Sequence, residues 1–197
     1  MLDRRSYAVK EHVGAFKITD RYDIYDAATG EQLGVAVEHV GWLMQILRIF
    51  GNLKQSLPTT IVISESEDGP PLLTIHRGFT FIRSSVEVRD AQGNLLGTLR
   101  SKLLTIGGGF YVYDAAGNQA AEVKGNWAGF NFRFLDSGGA ELGTVSKQWG
   151  GMFKEMFTSA DSYHIELSPA VPQQGALAAL LLAAGLAIDM VYKEHDN

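Results

Sequence analysis

The sequence predicts a mainly β protein, a closed antiparallel barrel of about 12 strands around a buried hydrophobic C-terminal α-helix. Three observations carry that expectation. One hairpin-like segment recurs along the chain, and a late apolar run is too short to span a bilayer. The composition, 46% hydrophobic and 20% charged, is that of a folded chain rather than a disordered one. With 197 residues the chain can bury a sizeable core, and one domain over residues 1–197 is expected.

The recurring segment reads "YDIYDAATGEQLGV" from Tyr22, "VEVRDAQGNLLGTL" from Val86, "YVYDAAGNQAAEV" from Tyr111 and "FRFLDSGGAELGTV" from Phe132. Alternating apolar positions lead to Asp26, Asp90, Asp114 or Asp136, and a glycine follows three or four residues later. A short carboxylate bonds back to nearby backbone N–H groups, and Gly30, Gly93, Gly117 and Gly139 supply positive φ. These are hairpins. A fifth is expected in "TTIVISESEDGPPLLTIHR", with Asp68-Gly69 in the turn and the proline pair limiting the strand start. "AFKITD" near the start and "SYHIEL" from Ser162 bring the count to about a dozen strands, enough for a sandwich or a barrel.

The apolar run decides between the two. From Gly175 to Ile188 it is uninterrupted for 14 residues before Asp189 breaks it. A spanning helix needs roughly 20, so the run reads as a buried core helix. Its many alanines make it slim and apolar all round. The helix is expected over about 175–193, and its stretch from about Ala176 to Lys193 is roughly 27 Å long at about 1.5 Å per residue. About eight strands are filled by their own side chains and 16 leave a channel, so a dozen leave room for one helix.

The net charge of −5 argues against a dedicated nucleic-acid binder. Without cysteine there is no disulfide, thiolate metal site or catalytic thiol. The N-terminal "MLDRRSYAVKEHVG" lacks the apolar core of a secretory signal, so a cytoplasmic location is expected.

The segment "KQWGGMFKEMFTSADSYHIEL" from Lys147, followed by the apolar run and Ile188-Asp189, resembles the C-terminal signature of the phospholipid scramblase family. The likeness extends more weakly over the hairpins, from about Gly14 to Glu194. It implies the tubby-like fold shared with the LURP-one-related proteins, twelve antiparallel strands closed around a hydrophobic helix. Animal scramblases also carry Pro-rich and Cys-rich palmitoylation segments; this sequence has neither, and lipid anchoring by that route is not expected. In the family, the stretch matching "FTSADSYHIELSPAVPQ" is a calcium loop with several aspartates. Here Asp161 alone remains as a Ca²⁺ ligand candidate, and Ca²⁺ takes six to eight oxygens, so turn and cap roles for Thr158, Ser159 and Asp161 are the better reading. No cofactor is expected.

"VGWLMQILRIFGNLK", Val40 to Lys54, reads as an amphipathic helix. Trp42, Ile46 and Phe50 face the membrane in the functional reading, with Arg48 and Lys54 on anionic headgroups. With only two cations, packing against the barrel is the stronger alternative. Tubby domains bind phosphoinositide headgroups through basic residues, so the resemblance makes Arg77, Arg83, Arg89, Arg100 and Lys102 headgroup candidates, beside Lys17 and Arg21 near the start.

Catalytic patterns are weak. The five histidines are widely spaced outside any HExxH motif, and there is no GxSxG elbow. Gly107 to Gly109 precede a strand, whereas a phosphate loop opens a helix. No enzyme is expected. The expected function is non-enzymatic: a scramblase-like protein binding anionic phospholipid headgroups, peripheral on the inner face of a membrane, with lipid scrambling implied by the resemblance. The alternative is a soluble protein-interaction or small-ligand barrel with a protein partner and no scrambling activity.

Overall fold

A computed structural model describes residues 1–12, 20–39, 58–78, 85–102, 109–126, 129–147 and 162–195, with side-chain surroundings as far as Ile188. Twelve strands form one closed, wholly antiparallel barrel. They are β1 (Ser6–Glu11), β2 (Arg21–Asp26), β3 (Gln32–His39), β4 (Thr59–Ser64), β5 (Pro71–Arg77) and β6 (Ser85–Asp90). The circuit continues with β7 (Leu95–Ser101), β8 (Gly109–Asp114), β9 (Gln119–Asn126), β10 (Asn131–Leu135), β11 (Glu141–Ser146) and β12 (Ser162–Leu167). Each strand pairs with its sequence neighbours, and β1 closes the ring on β12 from Ser6↔Glu166 to Lys10↔Ser162. Closure leaves no edge for another chain to pair with.

Five tight hairpins crowd one end, the turn end. Asp90 Oδ1 accepts hydrogen bonds from the backbone N–H of Gln92 (3.0 Å) and Asn94 (2.8 Å). Asp136 does the same for Gly138 and Ala140, both at 2.8 Å. The repeat glycines follow at φ of 74° (Gly30), 82° (Gly93), 85° (Gly117) and 85° (Gly139), the left-handed conformation the turn requires. A register shift sits beside every one of these turns, at Ile24/Tyr25, Ile63/Ser64, Val88/Arg89, Val112/Tyr113 and Phe134/Leu135. Such bulges add a residue to one strand and sharpen its twist. The β4–β5 turn runs from Ser66 to Gly69, closed by a 3.0 Å backbone bond, so Asp68-Gly69 form its second half and Pro71 opens β5.

β1 is a strand the sequence reading did not count. "AFKITD" lies outside the described residues apart from Asp20.

The helix, α1 (Ala176–His195), fills the barrel. Leu181, Leu182, Ala183, Ala184, Leu186 and Ile188 have no accessible surface, so consecutive positions all round the helix are buried. Each large apolar side chain so buried contributes about 1.5–3 kcal/mol. The direction of α1 follows from its neighbours. The Leu180 methyls lie against Gly97, near the turn end of β7, and Gly185 lies against Ile165 in mid-β12. α1 therefore enters at the turn end and runs toward the far end, carrying Asp189 that way.

The N-terminus fastens this entry. Arg5 donates to the carbonyls of Ser168 (2.8 Å) and Val171 (3.0 Å), and Gln173 Nε2 donates to Asp3 O (2.6 Å). Inside the wall, large residues face absent side chains across strands. Phe132 pairs with Gly125 and Phe134 with Gly143; a Cβ on Gly125 would stand 2.2 Å from the Phe132 ring.

Candidate functional site

Charge is distributed unevenly around the outer wall. On the β1–β4 side, cations meet acids. Asp23 Oδ2 lies 2.5 Å from His12 Nε2 and accepts from Tyr25 Oη (3.4 Å), while Arg21 reaches both Asp23 and Glu67. Glu38, on the same side, accepts from the Asp20 N–H at 3.0 Å.

On β7–β10 the balance reverses. Arg100 lies over the Tyr113 ring at 4.8 Å from its centroid, and Lys102 Nζ over Tyr111 at the same distance. The Lys102 side chain is only 7% exposed and binds Glu122, which Lys124 Nζ approaches at 3.3 Å from the other side. Burial pushes the Glu122 carboxyl up, but the hydrogen bonds and charges of the two lysines outweigh this and hold it below its usual range. Next comes Arg133, opposite Lys124 in the β9–β10 register. Four cations thus share this stretch of wall with Glu122 and the turn residue Asp114, in a chain whose net charge is −5.

Lys124 and Arg133 also line an open hollow of about 600 Å³ with Gly125, Asn126, Gly129 and Asn131. Alternation explains the lining: Val123 and Phe132 point into the core at 0% exposure, so Lys124, Asn126, Asn131 and Arg133 point out. Beside the hollow, Phe130 turns inward at φ 43°, a left-handed conformation uncommon for a residue with a side chain. It is 2% exposed, packs on Phe132 (5.8 Å) and Tyr163 (5.5 Å), and carries Lys147 Nζ over its ring at 4.7 Å.

Of the sequence-derived lipid, headgroup and metal candidates, Arg77, Arg89, Arg100 and Lys102 lie among the described residues. Arg100 is on the outer face of β7 and Lys102 follows just past its end. Arg89 is near the turn end, where its guanidinium holds Glu87 (2.7 Å) and Gly93 O (3.0 Å). Arg77 is 4% exposed, on the inner side of β5 at the far end. Trp42, Ile46, Arg48, Phe50 and Lys54 lie outside the described residues, in the connection from β3 to β4. Arg83, between β5 and β6, and Asp161, between β11 and β12, also lie outside them. Among the described residues no three His, Asp or Glu side chains gather at one metal position. Lys124 and Arg133 were not among the sequence candidates; both stand at outward positions of alternating strands, which was their only signal.

The family model for Scramblase matches residues 4–195, nearly the whole chain. The chain belongs to the scramblase family. The twelve-strand barrel around its helix fits the tubby-like fold that the resemblance implied. No curated protein and no solved structure matches this scramblase-family chain. Among its described residues no helix is long and apolar enough to cross a membrane.

Proposed function

We propose that this scramblase-family protein is non-enzymatic and works at a membrane surface, holding anionic phospholipid headgroups against the outer wall of β7–β10. The observation that carries the reading is the local excess of Arg100, Lys102, Lys124 and Arg133 over Glu122 and the turn-bound Asp114, which supplies a positive field toward anionic lipid. Family membership supplies the lipid. The amphipathic segment at 40–54 adds Trp42 and Phe50 as interfacial anchors.

Scrambling itself meets a mechanical constraint. A headgroup must cross an apolar layer about 30 Å thick, and the one long apolar helix among the described residues is the barrel's own core. Movement of lipid then requires a partner or local distortion of the bilayer by the bound protein.

Sedimentation with phosphatidylserine-containing and pure phosphatidylcholine vesicles, at low and high salt, tests the surface reading. Binding to the anionic vesicles that weakens with salt is expected, because exposed charges are screened beyond about 10 Å at 0.1 M. Trp42→Asp and Arg48→Glu should weaken it further. Absence of salt-sensitive binding to any vesicle, with recovery of a protein partner instead, overturns the reading in favour of a soluble interaction module. A fluorescent-lipid assay in the same vesicles, with and without Ca²⁺, tests scrambling separately.

A further inference from the structure

We propose that the hollow between β9 and β10 is a site for one terminal phosphate, a phosphomonoester, held by Lys124 and Arg133 with the amides of Asn126 and Asn131 beside them. The proposal deepens, and rests on, the headgroup reading above.

The cross-strand register places Lys124 directly opposite Arg133 on the outward face, with Asn126 directly opposite Asn131 one pleat further along. Like charges so placed repel each other, and an anion between them converts the repulsion into attraction. The nearby carboxylate does not satisfy the pair. Glu122 is shared between Lys102 and Lys124, and Arg133 makes no hydrogen bond or ion pair among the described residues. The same holds for the Asn131 amide.

Phe130 is buried at the hollow's edge in a left-handed conformation, and strain of that kind persists only where the surroundings over-determine it. The hollow, about 600 Å³ and open to solvent, has room for a phosphorylated polyol as well as a bare ion.

The chemistry favours a monoester. Its charge near neutral pH, about −1.5 to −2, matches two cations, and its three free oxygens meet the planar fork of Arg133 together with Lys124 and an amide. A phosphodiester offers one charge and one oxygen fewer. The monoester belongs either to a lipid headgroup or to a soluble phosphorylated metabolite.

The test uses the full chain in two arms. Calorimetry measures binding of glycerol 3-phosphate, and flotation measures binding to phosphatidylcholine vesicles doped with phosphatidic acid, a lipid monoester, or phosphatidylglycerol, a diester. Arg133→Gln and Lys124→Gln should each weaken monoester binding by roughly tenfold or more, as expected for losing one charged hydrogen bond. Lys10→Gln, exposed on β1, should change nothing, and circular dichroism confirms the fold of each variant. Phosphatidic acid should be preferred over phosphatidylglycerol.

Monoester binding that the double variant retains in full, or equal binding of the two lipids, overturns the proposal. If the double variant still binds vesicles like the parent, the hollow is excluded and the membrane reading survives. If glycerol 3-phosphate binds through Arg133 and no vesicle does, the site stands with a soluble ligand and the membrane reading falls.

Discussion

Gly185 of α1 faces Ile165 of β12 so closely that a Cβ on the glycine would stand 2.5 Å from Ile165 Cδ1 and 3.0 Å from Cγ1. The helix and the wall meet there with only a hydrogen atom's clearance. Glycine inside a helix costs about 1 kcal/mol relative to alanine, so close approach is the compensating gain.

Gly185→Leu should therefore destabilise the protein by about 1–3 kcal/mol through overpacking, despite leucine's better helix propensity. Urea denaturation measures the loss. Pairing it with Ile165→Ala should recover part of the stability, and strict additivity of the two changes would count against direct contact.

Ala183 and Ala184 are fully buried at mid-helix. Ala184→Arg or Ala183→Arg places a cation in the barrel's interior at a cost of several kcal/mol, and neither variant should yield folded protein. Soluble expression and far-ultraviolet dichroism check this. A folded, soluble Ala184→Arg protein would mean that α1 is not the core.

Lys102 and Glu122 form a largely buried pair, with side chains 7% and 19% exposed. Lys102→Met should lower stability by about 1–3 kcal/mol, since it removes a charged hydrogen bond from a largely buried carboxylate. Lys102→Met combined with Glu122→Gln should cost less than the sum of the two single changes. Among the wall's cations, Lys102 is thus expected to show its main effect in unfolding, and Arg133 in ligand binding.

His164 accepts or donates a 2.7 Å hydrogen bond with Ser6 Oγ across the β1–β12 seam. Burial lowers its pKa below the ordinary 6.5, with the Glu166 charge acting in the opposite direction. A depressed histidine pKa means that the unfolded chain binds the proton more tightly, so folding is favoured above about 6.5 and loses stability as pH falls toward the native value. Melting temperature should decline on acidification through this window, and His164→Gln should flatten the decline. An unchanged slope in that variant would remove His164 as the cause.

Much of the architecture was legible because it depends on local chemistry. Each Asp-to-Gly turn is a complete signal within a few residues, and the closed barrel follows once such turns are counted beside an apolar run too short to span. β1 escaped because Tyr7, Ala8 and Val9 are buried in succession, which blurs the two-residue alternation by which strands are recognised. The bulge beside each turn was invisible, since an extra residue on one strand alters register without altering composition. The wall's charge pattern was legible only in fragments. That Lys124 meets Arg133 depends on the register of β9 against β10, and that Arg77 points inward depends on where β5 alternates, neither of which the list of basic residues contains.

The seam between β1 and β12 joins Ser6–Lys10 to Ser162–Glu166, residues more than 150 positions apart. On a ribosome, β1 emerges early and must wait, one edge unpaired, until β12 has been made. Loop closure over such a span is slow, and folds dominated by distant pairings typically mature in milliseconds to seconds. The central helix arrives later still. Until β12 and α1 are in place the barrel has neither its closing seam nor its core.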